Sequence, residues 1–442
     1  MSNLVPAIAA LPATFVDVIK SKNGPDAPTP SMINTRIAIG RLGLQCRYDT
    51  FHDRYMINGS AFGNSALQVS DAAGRKLREM IRLQFKFDPG VSNAMDALYR
   101  ACEENAFHPV LDYLDGLKWD GKPRLDSWLM TYMRAEDTEF NRGVSRLILI
   151  AAVRRIRLPG SKFDCMLVLE SPEGFGKSSA LAELFGRSVF TDQTILGVSD
   201  KELQEVLRGR WCVEVPELVG LKRADIERVK SAITRETDRA RPAYGRATVE
   251  VPRSMVLIGT TNDEQYLRAL SGENRRFLPV KVGRVDMAAL IRDRDQLWAE
   301  ACEEEWLEPS LSLPENLWQH ASAARVDRTQ ADPWADVLDD VVEKAARAQV
   351  AQVAVAETDE PAEVVAIYDA SGFDKDGKPE ERVASDYVLG TAIGLAADRR
   401  TPEMQKRAGL VMRSLGWTGP KKARVNGKSV QAYRRPIVEP WD

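Results

Sequence analysis

The chain has 442 residues, 44% apolar and 28% charged, with a net charge of −3. Near-neutrality excludes a chain that is basic throughout, so any nucleic-acid surface must be local, and at roughly 100–200 residues per domain the length allows two to four domains. Five scattered cysteines without a CxxC pair, and only three histidines, argue against a zinc site or a disulfide framework. No apolar run approaches the roughly 18 residues of a membrane span. The opening MSNLVPAIAALPATF lacks the basic flank of a signal peptide. A cytoplasmic, membrane-free protein is expected, with Cys165 and Cys212 reduced in the core.

Residues 1–35 are rich in Pro, Ala and Ser and read as a flexible arm. Residues 36–115 read as a small α+β domain: TRIAIGRLGLQCRYDTFHDRYMING suggests a helix and a hairpin, and two stretches with helical apolar spacing follow. Residues 116–162 form a connector or oligomerisation region. It ends in the arginine-rich amphipathic helix of NRGVSRLILIAAVRRIRLPG, closed by Pro159-Gly160.

From 163 to 332 short apolar runs (CMLVLE, RWCVEV, SMVLIGTTN) alternate with helix-period segments. Runs apolar on both faces suit a buried parallel sheet, and the alternation predicts an α/β domain. Residues 333–381 read as an acidic linker with one helix, and SGFDKDGKPEE within it as a loop. Residues 382–442 read as a basic unit. Its helix PEMQKRAGLVMRSLGW is followed by KKARVNGKSVQAYRRP, a hairpin with an Asn-Gly turn, which suggests a winged helix. Lys421, Lys422 and Arg424 on that hairpin are candidate phosphate contacts on duplex DNA; the alternative is a basic protein-docking domain.

LVLESPEGFGKSSA carries the strongest signal. An apolar strand runs into a glycine-bearing turn and then a helix, the context a phosphate loop requires. Gly174, Phe175, Gly176, Lys177, Ser178 and Ser179 are the candidate nucleotide contacts. Backbone N–H groups and the helix N-terminus favour phosphate there. Lys177 is expected to reach the β- and γ-phosphates of ATP, and the Ser178 hydroxyl to ligate Mg2+. Ser171 departs from the G-x-x-x-x-G-K-[S/T] pattern, because glycine usually holds that place.

RWCVEVPEL puts Glu214 and Glu217 at the end of a buried strand. One carboxylate can hold Mg2+ and another can polarise the attacking water; the residues leave open which does which. SMVLIGTTN ends in Thr260-Thr261-Asn262, where a polar side chain can sense the γ-phosphate, and Asn262 is the candidate. In GENRRF, Arg275 and Arg276 are candidates to stabilise transferred phosphoryl charge, with a surface ion pair as the alternative. TDRARPAYGRATVEVPRS reads as a basic hairpin around Arg239, Arg241, Tyr244, Arg246 and Arg253, suited to nucleic-acid backbone contact, or else as a solvated hairpin. Lys230, on the preceding helix, points either toward the phosphates or into solvent. Asp112, Asp115 and Asp120 of HPVLDYLDGLKWDG match no metal spacing, and that segment reads as a connector.

Taken together, HPVLDYLDGLKWDG, the run into the phosphate loop, WCVEVPEL, RPAYGR, VPRSMVLIGTTN and GENRRFLPV resemble the virulence-associated protein E family of phages and mobile elements, over about residues 105–282. The family is similar to superfamily-three helicases. The resemblance implies an AAA+-like P-loop NTPase core, a homo-oligomeric ring (a hexamer) and single-stranded DNA in its pore. It assigns Lys177 and Ser178 to Walker A, Glu214 and Glu217 to Walker B and Asn262 to the sensor. Arg275 or Arg276 becomes the trans-acting arginine, and Arg241–Arg253 the pore hairpin. Too little chain precedes residue 105 for the primase module of longer members, so no priming activity is expected.

Three functions follow as alternatives. They are a DNA-dependent ATPase and replicative helicase, an ATP-controlled DNA-binding or origin-assembly protein with little unwinding, and a small-molecule kinase.

Overall fold

A computed structural model describes residues 14–437 except 23–25, 61, 196, 217, 219–222, 241–247, 269–273, 331, 342, 349–366 and 375–376. The chain divides into two compact units. One runs to Asn262 and resumes from Leu278 to Trp318; the other takes Asp263–Phe277 and the chain from Gln319 onward.

The first unit opens with α1 (Met32–Arg41), capped by Ser31, whose side chain accepts from the Asn34 N–H. Strands β1 (Gln45–Asp49) and β2 (Arg54–Gly59) pair antiparallel, with Tyr48 opposite Tyr55. Strand β3 (Gly63–Gln68) pairs with β2. Next come α2 (Asp71–Phe85) and α3 (Val91–Glu103), and then the short β4 (Ala106–Phe107), parallel to β1. Ala73, Leu77 and Ile81 recur at four-residue spacing on α2 and fill the core with Ile57 and Leu98.

Helices α4 (Pro109–Gly116), α5 (Trp128–Met133) and α6 (Glu139–Arg157) lead into the second sheet. The expected amphipathic α6 is instead buried on most sides from Val144 to Val153. Even Arg155 is enclosed, donating to the carbonyls of Ser161, Phe163 and Met255. Burial and the neighbouring Arg253 charge push its pKa down to about 10.

The remaining elements alternate as the apolar runs predict: β5 (Met166–Glu170), α7 (Lys177–Phe185), β6 (Phe190–Thr191), α8 (Asp200–Leu207), β7 (Cys212–Val215), α9 (Arg223–Thr234), the hairpin β8 (Thr237–Ala240) and β9 (Val249–Pro252), β10 (Val256–Thr261), β11 (Phe277–Lys281) and α10 (Met287–Glu304). The result is a mixed α/β fold around a five-stranded sheet of order β11-β5-β10-β7-β6. The pairs β5–β10, β10–β7 and β7–β6 are all parallel. Every residue of β5, β7 and β10 is buried, which is why each reads as an unbroken apolar run.

The connector behaves structurally. Tyr113 donates to Asp295 on α10, and the Arg124 and Leu125 N–H groups donate to the buried Glu300 carboxylate. Among the described residues, no acid, His or Cys cluster could hold a metal, and no helix is long and apolar enough to cross a membrane. Cys212 is buried and Cys165 is half-buried, and neither is in a disulfide.

The second unit contains α11 (Pro333–Asp339) and α12 (Pro402–Ser414). Its sheet comprises β12 (Tyr368–Phe373), β13 (Pro379–Ala384), β14 (Thr418–Val425) and β15 (Lys428–Pro436), all antiparallel, in the order β12-β13-β15-β14. The expected Asn-Gly turn joins β14 to β15, with φ of 47° at Asn426 and 77° at Gly427. SGFDKDGKPEE is not a linker but the turn and flanks of the β12–β13 hairpin. The Lys378 N–H donates to the Asp374 carboxylate, and Val383 opposite Tyr433 anchors the strand in the core.

Candidate nucleotide site

Three elements meet at the carboxyl ends of the parallel strands: the 171–176 loop between β5 and α7, the end of β7, and the end of β10. They enclose a cleft of about 390 Å3 lined by residues 173–179, Glu214, Pro216 and Thr260–Asn262. That volume falls in the range of small-molecule sites.

The loop is held at its start by the Ser171 N–H, which donates to the Thr261 carbonyl at 3.3 Å. Gly174 and Gly176 take φ of 77° and 91°, a region that charges any side chain a steric cost. Gly176 is also the N-cap of α7 and supplies no side-chain cap. The first-turn N–H groups therefore remain for a ligand, with the positive end of the helix dipole behind them. Ser178 and Ser179 are exposed on that turn, and Phe175 is half-buried with Arg284 over its ring.

Lys177 Nζ lies 2.6 Å from the Ser171 carbonyl, 2.9 Å from Ser171 Oγ and 3.2 Å from the Pro172 carbonyl. Burial lowers its pKa, against the opposing pull of Glu214 and Glu173.

Glu214 is 1% exposed. Its Oε1 accepts from Ser178 Oγ at 2.7 Å and from Thr260 Oγ1 at 2.6 Å. Its Oε2 is buried without a hydrogen-bond partner. A buried carboxylate oxygen left unpaired is costly unless a cation completes it. The donor set of one carboxylate and one hydroxyl fits Mg2+, which keeps several waters and takes its remaining oxygens from phosphates. Ser178 and Glu214 are the residues that would hold it.

The strand-tip residue Asn262 is exposed and lines the cleft. Sequence reasoning missed Thr260 as the anchor of Glu214. Ile258 pairs with Glu214 in register, so Thr260, two residues on, shares its face; the sequence carries the polar strand tip Thr260-Thr261-Asn262 but not that register.

The other expected residues sit elsewhere. Glu217, Arg241, Tyr244 and Arg246 lie outside the described residues. Arg253 corrects the expectation of a nucleic-acid contact. Its side chain is 1% exposed and forms a bidentate pair with Asp238, at 2.6 and 2.7 Å, so it has no face for a phosphate backbone. Lys230 is buried rather than solvated and donates to Glu227 Oε1 at 3.1 Å. Arg275 and Arg276 form a 3-10 turn assigned to the second unit.

In that second unit much of the basic stretch is neutralised internally. Arg407 pairs with Asp332, Arg435 with Glu381 and Arg400 with Asp386. Lys421, Lys422 and Arg424 are exposed on β14, and among the described residues their side chains have no ion-pair partner. Strand alternation puts Lys422 and Arg424 on one face and Lys421 on the other.

Residues 114–330 match the model of the virulence-associated protein E-like domain. The chain carries a virulence-associated protein E-like domain. The matched span reaches past the motifs of 105–282 that resembled the family. No curated protein matches the chain. Among solved structures it is similar to the apo structure of the NrS-1 C terminal region, with 12% identity, 90% of this chain and 97% of that chain covered, and a TM-score of 0.46. It is also similar to the SCCmec type IV Cch active helicase, with 12% identity, 89% and 92% covered, and a TM-score of 0.32.

Proposed function

We propose that this chain is a DNA-dependent ATPase, working as a ring-forming replicative helicase of a phage or mobile element. One observation carries the reading: Glu214, buried at the tip of β7, is bonded to Ser178 of the glycine loop and keeps one oxygen unpaired, in the cleft that Lys177 also lines. This is the arrangement that nucleoside triphosphate hydrolysis needs.

In this reading the α7 N-terminus and the loop N–H groups bind the phosphates, and Lys177 draws charge from the β- and γ-groups. Mg2+, held by Ser178 and Glu214, supplies charge neutralisation at the phosphates. Asn262 orients the attacking water, with Glu217 as a second carboxylate. Among the described residues, the cleft lining carries a single cation, Lys177. An arginine, Arg275 or Arg276, from a neighbouring copy in a six-membered ring completes the charge stabilisation. The segment carrying Arg241, Tyr244 and Arg246 takes single-stranded DNA in the pore, and Lys421, Lys422 and Arg424 take duplex phosphates.

The test is strand displacement of a forked DNA by the purified protein with MgATP, alongside its mass in solution with nucleotide. ATP-dependent displacement by an oligomer supports the reading. A second reading, an ATP-controlled DNA-binding switch with little unwinding, is favoured by the hold of the loop oxygens on Lys177. It predicts ATP-dependent DNA binding without displacement.

A further inference from the structure

An ammonium group has three hydrogens to donate. In Lys177 they face three acceptors of the loop itself: the carbonyls of Ser171 and Pro172 and the hydroxyl of Ser171. The hydroxyl is fixed in place because it also donates to the Pro172 carbonyl at 3.2 Å, and Ser171 is 5% exposed. A glycine at this position would offer Lys177 the two carbonyls alone and leave one N–H free toward the cleft.

We propose that the Ser171 hydroxyl sets the nucleotide affinity of this cleft: it occupies the third donor of Lys177 when the cleft is empty, and a triphosphate must displace it. The proposal rests on the reading of the cleft as a nucleotide site and makes Ser171 a positioning residue acting through Lys177. Charge-assisted hydrogen bonds are the strong ones, so the exchange of Ser171 Oγ for a phosphate oxygen returns less free energy than a free N–H would.

Ser171 lies outside the positive-φ region, so alanine and glycine both fit its backbone without strain. Ser171→Ala and Ser171→Gly are expected to bind MgATP roughly three- to tenfold more tightly than wild type, as for one released hydrogen bond. Ser171→Thr, which keeps the hydroxyl, binds like wild type. In hydrolysis KM falls with kcat unchanged, a split that a merely structural role would not produce. Calorimetry with MgATP on the full chain reads the affinities, with Lys177→Ala made in each background. Affinities of the Ala and Gly variants within about twofold of wild type, or weaker, overturn the proposal while Lys177-dependent binding leaves the nucleotide reading standing. Binding that is absent, or indifferent to Lys177, overturns the nucleotide reading and the proposal with it.

Discussion

The Ser178 hydroxyl donates to Glu214 Oε1 across 2.7 Å, joining the first turn of α7 to the tip of a neighbouring strand. Two residues 36 positions apart in sequence thereby present a hydroxyl and a carboxylate to one point in the cleft. The opposite oxygen of that carboxylate is buried and unpaired, so the site carries a cost in its empty form that a bound cation relieves.

Glu214→Gln should separate function from stability. The amide keeps the bonds to Ser178 and Thr260 while removing the buried charge. MgATP binding is expected to persist with hydrolysis lowered by about 10²-fold or more. The empty protein is expected to melt about 1–2 °C higher, as for roughly 1 kcal/mol in a chain of this size. Thermal melts without nucleotide, beside phosphate release, check both halves.

Arg253 and Asp238 make the opposite case. Both are buried and bonded to each other at the base of the β8–β9 hairpin. Truncating either leaves an uncompensated buried charge, so Asp238→Ala or Arg253→Ala should each cost about 3–5 kcal/mol. The double change should cost less than the sum of the two. Denaturant unfolding of the three variants measures this.

Much of this was legible in the sequence. Buried parallel strands leave unbroken apolar runs, and the glycine loop can be read because only glycine takes the φ of Gly174 and Gly176 without cost. What was not legible depended on partners. Arg253 looks like its basic neighbours on the hairpin; its pairing with Asp238 exists only once β8 and β9 are in register. SGFDKDGKPEE is rich in turn residues, and it joins a sheet because β15 lies beside β13. The Ser171 hydroxyl reads as a departure from a pattern, and its contact with Lys177 appears only when the loop folds back.

The pH dependence of binding follows from Lys177. Burial holds its pKa below the ordinary lysine value of 10.5, and only the protonated form attracts phosphate. MgATP affinity is therefore expected to fall with rising pH while an ordinary lysine is still charged. In Lys177→Arg, which stays protonated, binding is weaker but this alkaline limb disappears. Calorimetric titrations across the alkaline range read the difference.

Lys422 and Arg424 share a face of β14 and have no ion-pair partner among the described residues. Replacing each by alanine should weaken duplex binding about equally on any sequence, and should reduce the slope of log affinity against log salt by about 1 per residue. Arg407→Ala, which removes a charge already paired with Asp332, should leave the slope unchanged. Fluorescence anisotropy at several salt concentrations tests this.

The central claim is tested most directly by ATP hydrolysis of the purified protein, with and without single-stranded DNA, beside Lys177→Ala. The account predicts hydrolysis that rises several-fold with DNA and falls to background in the variant. Hydrolysis indifferent to DNA, or unchanged by the loss of Lys177, would contradict it.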